Sequence, residues 1–114
     1  MVDGLLVTGA TGFVGGAVVL ELLRTTLSPV VCLVRGQDAA QRLERSLRTA
    51  ARAYAMPDGF VDEHLPRVRA VAGDLTGDVE ELTTAARASG VRVTALWHCA
   101  ASLKFLNVDR DEIF

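Results

Sequence analysis

TGATGFVGG, residues 8–16, is the stretch that decides how this chain is read. Gly9, Gly12 and Gly15 stand three apart, and Gly16 follows at once. Glycine weakens regular structure, so such a cluster marks either a turn with packing glycines or a loop that brings backbone close to a ligand. The flanks narrow the choice. Leu5 to Thr8 is a short apolar run of strand length, suited to a strand buried on both faces. FVGGAVVLELLRTTL, residues 13–27, is apolar nearly all round and charged only at Glu21 and Arg24, which suits a helix packed tightly on a sheet. The glycines therefore occupy a strand-to-helix turn. A helix N-terminus offers unpaired N–H groups and partial positive charge, and both favour phosphate. In that role Gly9 permits the tight turn, Gly12 admits a pyrophosphate to the backbone, and Gly15 lets helix and strand pack closely. The spacing is G-x-x-G-x-x-G and not the common G-x-G-x-x-G, so the segments beyond must decide.

Composition sets the bounds. A chain of 114 residues, half of them hydrophobic, is enough for one folded domain and no more. A net charge of −2 offers no general attraction to nucleic acid or anionic lipid. No apolar run is long enough for a membrane span, and MVDG lacks the basic start of a signal peptide. Cys32 and Cys99 both lie in strand-like apolar runs. They fit small buried hydrophobes in a reducing cytoplasm, and two isolated cysteines do not make a disulfide or metal framework. A cytoplasmic location is the expectation.

The rest of the chain alternates. VVCLVR, residues 30–35, is a second buried strand, with Pro29 just before it. Asp38 and Gln41 have capping-box spacing. Ala40, Leu43, Leu47, Ala50, Ala51 and Tyr54 then recur at helical spacing, predicting an amphipathic helix that ends near Met56-Pro57. VRAVAGDL, residues 68–75, is a third strand. Asp78 and Glu81 open another helix, with Leu82, Ala85 and Ala86 inward and Gly90 as its stop. VTALWHCAA, residues 93–101, is a fourth strand. This alternation predicts an α/β fold: the first half of a doubly wound parallel Rossmann sheet, strand order 3-2-1-4. Asp109 and Glu112 again have capping-box spacing only a few residues before Phe114. The expectation is that residues 1–114 form the N-terminal part of a single NAD(P)-binding domain that continues beyond them.

The end of the second strand carries the chemistry. About 20 residues past the glycine loop, a dinucleotide fold reads the adenosine ribose. A carboxylate there accepts from a free 2′-hydroxyl and repels a 2′-phosphate. This chain has Arg35, whose guanidinium can grip that phosphate, so NADP(H) is the expected cofactor over NAD. Arg42, Arg45, Arg48 and Arg52 line the polar side of the next helix, and only Arg42, on its first turn, is placed to assist. Asp74 could accept from the adenine amine with Leu75 against the ring, or act as a turn and helix-cap aspartate. Ala100 and Ala101 leave room for ribose and nicotinamide, or serve tight strand–helix packing. His98 reads as a strand-end histidine. A nucleic-acid partner is excluded by net charge and the scarcity of aromatics.

The ordered set TGATGFVGG, CLVRG with Arg42-Leu43, AGDLTG and WHCAAS resembles the extended short-chain dehydrogenase/reductase superfamily, and within it the thioester-reductase and fatty-acyl-CoA-reductase branch. The resemblance covers nearly the whole chain. It implies that Thr8, Gly9, Thr11, Gly12, Phe13, Val14 and Gly15 hold the pyrophosphate. It assigns Arg35 and Arg42 to the 2′-phosphate, Asp74 and Leu75 to adenine, and Ala100 and Ala101 to the nicotinamide side. Lys104 stands where the branch often has asparagine. The family's catalytic Tyr and Lys form a Y-x-x-x-K motif, and Tyr54, the sole tyrosine, has no lysine four residues on, so no catalytic residue is assigned. The implied activity is NADPH-dependent reduction of an acyl thioester, on CoA or a carrier protein, to an aldehyde or alcohol. Two other readings stand beside it: a sugar-nucleotide epimerase or dehydratase, which Arg35 disfavours, and a non-catalytic NADP(H)-binding module. The 114-residue chain by itself is expected to be catalytically inert, and either marginally stable or self-associating through an uncovered sheet edge.

Overall fold

The computed structural model describes residues 2–73 and 79–99. Strand β1 (Val2–Thr8) leads through the glycine turn into α1 (Phe13–Thr25), then β2 (Val30–Val34) and α2 (Ala39–Ala53). A short helix α3 (Phe60–His64) and a 3-10 turn (Leu65–Arg67) precede β3 (Val68–Ala72), and α4 (Val79–Ala88) leads to β4 (Val91–His98). The four strands form one sheet in the order β3-β2-β1-β4, every pair parallel. That is the predicted half of a doubly wound fold.

Burial on both faces explains the unbroken apolar strands. Leu5 and Val7 of β1 and Val30, Cys32 and Val34 of β2 pack in one core with Val19, Leu20, Leu22 and Leu23 of α1 and Leu43, Leu47 and Ala51 of α2. Leu6, Val31 and Leu33, pointing the other way, pack in a second core with Ala86 of α4 and Val91 of β4. Alternate residues of one strand thus enter different layers, and both faces of these central segments are apolar.

β4 departs from this alternation. Its pairing with β1 runs Gly4↔Val93 and then Leu5↔Ala95, leaving Thr94 as an extra residue. This β-bulge reverses the facing of everything beyond it. Val91 and Val93 join the α4 layer, whereas Ala95 and Trp97, of the same parity, pack on the α1 layer. Thr94 Oγ1 donates to the Gly4 carbonyl at 3.1 Å and so anchors the bulge.

Three features differ from the sequence reading. Asp38 occupies the N-cap position of α2, but its backbone is left-handed (φ 57°) and its side chain makes no capping bond. α2 stops at Ala53, earlier than Pro57 would require. The reason is local: Ala55 turns left-handed (φ 54°), Met56 N–H donates to Ala51 O at 2.9 Å and Ala55 N–H to Arg52 O at 3.2 Å. Together these form a Schellman termination. Finally, α3 and the 3-10 turn fill a stretch with no strong periodicity. Arg67, at the end of that turn, donates to Ser28 O at 2.9 Å and Leu23 O at 2.7 Å, closing the C-terminal end of α1. Gly90 (φ 82°) ends α4 as its sequence position predicts.

Candidate nucleotide-binding site

The glycine turn sits at the C-terminal edge of the sheet, between β1 and α1. Gly9 has φ 71°, a conformation that a side chain strains, and Gly12 N–H donates back to Gly9 O at 3.0 Å to close the turn. Gly15 lies directly against that turn. A Cβ on Gly15 would fall 1.9 Å from Gly9 O and 2.9 Å from Ala10 Cα. The absence of a side chain there lets helix and strand meet.

Gly12 is the N-cap of α1, and it makes no side-chain capping bond, nor does an acidic residue stand in the first turn. The leading N–H groups of the helix are therefore left for an external acceptor. Gly12 is exposed, and a Cβ there would approach only Gly9 O, at 3.3 Å, so the backbone is open on the solvent side. Thr11 is exposed on the same turn. Such an uncapped N-terminus above a glycine turn fits a pyrophosphate. The side chains of Phe13 and Val14 stand out from the helix, 77% and 56% exposed. Only their backbone faces the turn.

Thr8 lies beneath the turn and is fully buried. Its Oγ1 shares a 2.9 Å hydrogen bond with His98 Nδ1, and its carbonyl accepts from Cys99 N–H at 3.1 Å. The ends of β1 and β4 are thereby tied together.

The second strand ends beside this turn, since Thr8 pairs with Leu33. Arg35, just past β2, is exposed. Gly36 follows with φ 87°, and Arg42 reaches back so that its Nη1 donates to Arg35 O. The structure thus brings Arg35 and Arg42 together on one corner, as their sequence positions suggest. β3 is drawn into the same edge: Gly73 N–H donates to Val34 O at 3.0 Å, and a Cβ on Gly73 would meet Leu33 Cδ1 at 2.7 Å. Asp74, Leu75, Ala100 and Ala101 lie outside the described residues.

Two features here escaped the sequence. The Thr8–His98 bond depends on the bulge at Thr94, which no local signal announces. Beside the turn, a groove of about 520 Å³ is lined chiefly by Phe13, Val14, Ala17, Val18, Tyr54 and Met56. Tyr54, placed by periodicity on the apolar face of α2, is 43% exposed, with its ring centroid 5.8 Å from that of Phe13. Both cysteines are free, and burial pushes the Cys32 thiol up to about 12. Among the described residues no cluster of His, Cys, Asp or Glu is arranged to hold a metal ion, and no helix is long and apolar enough to cross a membrane.

A parallel α/β sheet whose first crossover opens on an uncapped helix N-terminus at a glycine turn defines a dinucleotide-binding domain of the Rossmann type. More narrowly, the NAD-binding family described as the male sterility protein matches residues 7–111, and the chain belongs to it. L-2-aminoadipate reductase large subunit of Penicillium chrysogenum is 47% identical over 72 residues, covering 60% of this chain and 5% of that protein. Nonribosomal peptide synthetase 5 of Gibberella zeae is 39% identical over 71 residues, covering 61% of this chain and 1% of that protein. The solved reductase domain of PhqB from Penicillium fellutanum superimposes with a TM-score of 0.61 at 27% identity, covering 86% of this chain and 26% of that one. The chain thus spans a small part of each relative. The family match and these relatives bear out the resemblance read from the motifs.

Proposed function

We propose that this chain supplies the NADP(H)-binding part of a reductase acting on acyl thioesters, carried on CoA or a carrier protein, with an aldehyde or alcohol as product. The observation that carries this reading is the corner where Arg35 and Arg42 meet beside the uncapped N-terminus of α1. The reductase names of the aligned proteins support the direction of the chemistry.

When bound, NADPH supplies the hydride that reduces the thioester carbonyl. The chain's own residues bind and orient it. The backbone of Gly9, Thr11, Gly12, Phe13, Val14 and Gly15 receives the pyrophosphate, using the leading N–H groups of α1; Gly12 N–H itself closes the turn on Gly9 O. Thr8 supports the turn from below. Arg35 and Arg42 hold the 2′-phosphate. One Arg42 nitrogen is already spent on the Arg35 carbonyl, and the other guanidinium nitrogens, which bond to no described residue, would serve the phosphate oxygens. The motif resemblance assigns Asp74 and Leu75 to adenine and Ala100 and Ala101 to the nicotinamide side. No residue of this chain is assigned a proton-transfer step.

The test is calorimetric titration of the protein with NADPH and with NADH. Tighter binding of NADPH is expected, and Arg35→Asp should reverse the order, because a carboxylate repels the phosphate and accepts from a free ribose hydroxyl. Equal preference before and after the substitution would reduce Arg35 to a surface charge. NADPH oxidation by the complete enzyme, with acyl-CoA against an acyl thioester of a carrier protein, then separates the two thioester sources.

A further inference from the structure

We infer that His98 is a positioning residue for the cofactor, acting through Thr8 on the glycine turn. This rests on the nucleotide-binding reading above. Thr8 is the last residue of β1 and is bonded directly to Gly9, the residue whose left-handed backbone starts the turn. Its side chain is wholly buried, so its hydroxyl has no water to satisfy it, and His98 Nδ1 at 2.9 Å supplies that partner. No buried side-chain polar atom among the described residues lacks a hydrogen bond. Losing the imidazole would leave an unpaired hydroxyl directly under the turn, with nothing to hold its rotamer.

The register shows how the contact arises. Were Thr94 paired regularly with Leu5 instead of bulged, β4 would advance one residue less against β1, and Trp97 would stand opposite Thr8. The bulge instead sends Trp97 beside Val7, into the α1 layer, and sets His98 beside Thr8. A polar ring that can donate or accept therefore lies where the two strand ends flank the phosphate-binding turn. His98 is itself exposed at this edge, so its ring serves the site without belonging to the core. The parallel backbone bond from Cys99 N–H to Thr8 O, at 3.1 Å, keeps the strands in place when the side chain is changed. A substitution at His98 is therefore expected to loosen the turn more than the sheet.

Five variants of the protein test this: His98→Ala, His98→Asn, His98→Gln, Thr8→Val and the double variant Thr8→Val with His98→Ala, each titrated with NADPH by calorimetry and melted without it. His98→Ala should weaken NADPH binding roughly 3- to 10-fold, the effect of one buried hydrogen bond. His98→Asn should restore most of the loss, because its amide sits close to the position of Nδ1 and can either donate or accept. His98→Gln carries its amide out towards the position of Nε2 and should not restore it. Thr8→Val should weaken binding as His98→Ala does, and the double variant should lose no more than either single one. Equal NADPH affinity of His98→Ala and the unaltered protein would overturn the positioning role. So would equal rescue by Asn and Gln, or additive losses in the double variant. An unaltered protein that binds no NADPH would overturn the cofactor reading itself, and this inference with it.

Discussion

Adding one methyl group at two neighbouring positions of α1 should move stability in opposite directions. Gly15 and Gly16 both lie in the first turns of the helix, where replacing glycine by alanine ordinarily gains about 1 kcal/mol. At Gly15 the new Cβ would fall 1.9 Å from Gly9 O and 2.6 Å from Gly9 C. These are backbone atoms of a closed turn and cannot swing aside, so the helix itself must lift. Overpacking of this kind costs about 1–3 kcal/mol or more, which outweighs the helical gain. At Gly16 the nearest atoms are Ala50 Cβ at 3.4 Å and Ala10 O at 3.6 Å, both ordinary contacts. There the propensity gain should survive. For about 100 residues, 1 kcal/mol moves the melting temperature by roughly 4–8 °C. Gly15→Ala should therefore lower it by several degrees or more and weaken NADPH binding, while Gly16→Ala should leave it unchanged or raise it by up to that amount. Thermal melts followed by circular dichroism, with and without NADPH, measure both. If Gly15→Ala melts at or above the unaltered protein, the close approach of helix and turn does not constrain the fold and the reasoning fails.

Two further outcomes follow from local features. Burial raises the Cys32 thiol to about 12, whereas the unfolded chain ionises near 9.0. The neutral thiol's contribution is then fully present below about pH 9 and is lost as pH rises towards 12, with a limiting slope of about 1.4 kcal/mol per pH unit. Urea unfolding of Cys32→Ala, compared with the unaltered protein from about pH 8 to about pH 10, should show a shallower alkaline decline; identical slopes would contradict the burial. Ala55 ends α2 in a left-handed conformation, which disfavours any residue with a Cβ. Ala55→Gly should stabilise the protein by about 1 kcal/mol, read from the urea midpoint, and an unchanged midpoint would argue against the Schellman geometry.

The legible parts of this fold are those written in local patterns. Leu5–Val7 and Val30–Val34 announce buried strands because both faces are covered and every one of these positions is apolar; Thr8, at the strand end, is buried with its hydroxyl paired to His98. Gly9, Gly12 and Gly15 announce the turn because a Cβ is sterically excluded at one and conformationally strained at another. Arg35 and Arg42 are legible together because the fold fixes where the second strand ends. Less legible is whatever depends on the partner strand. Alternation in β4 suggests that Val91, Val93, Ala95 and Trp97 share a face, and the extra residue at Thr94 divides them between layers. That is a property of the β1–β4 pair, not of either strand. His98 likewise carries no sign of its role until Thr8 is set beside it. Periodicity puts Tyr54 on the face of α2 that meets Phe13 of α1, but not its 43% exposure, which follows from its place at the C-cap beside an open groove.

The pairing of β1 with β4 also has a consequence for synthesis. Thr8 leaves the ribosome early, and the residue that completes it, His98, is 90 positions later. At roughly 5–20 residues per second, that is a wait of roughly 5–20 s. β2 can cover one side of β1 long before then, but the other side stays unpaired until β4 emerges. Throughout that interval Leu5, Leu6 and Val7 present a strand edge to any other nascent chain on the same message. The glycine turn cannot take its final shape on a growing polypeptide until the last strand described here has been made. Translation speed between β2 and β4 therefore sets how long the first strand remains open to a wrong partner.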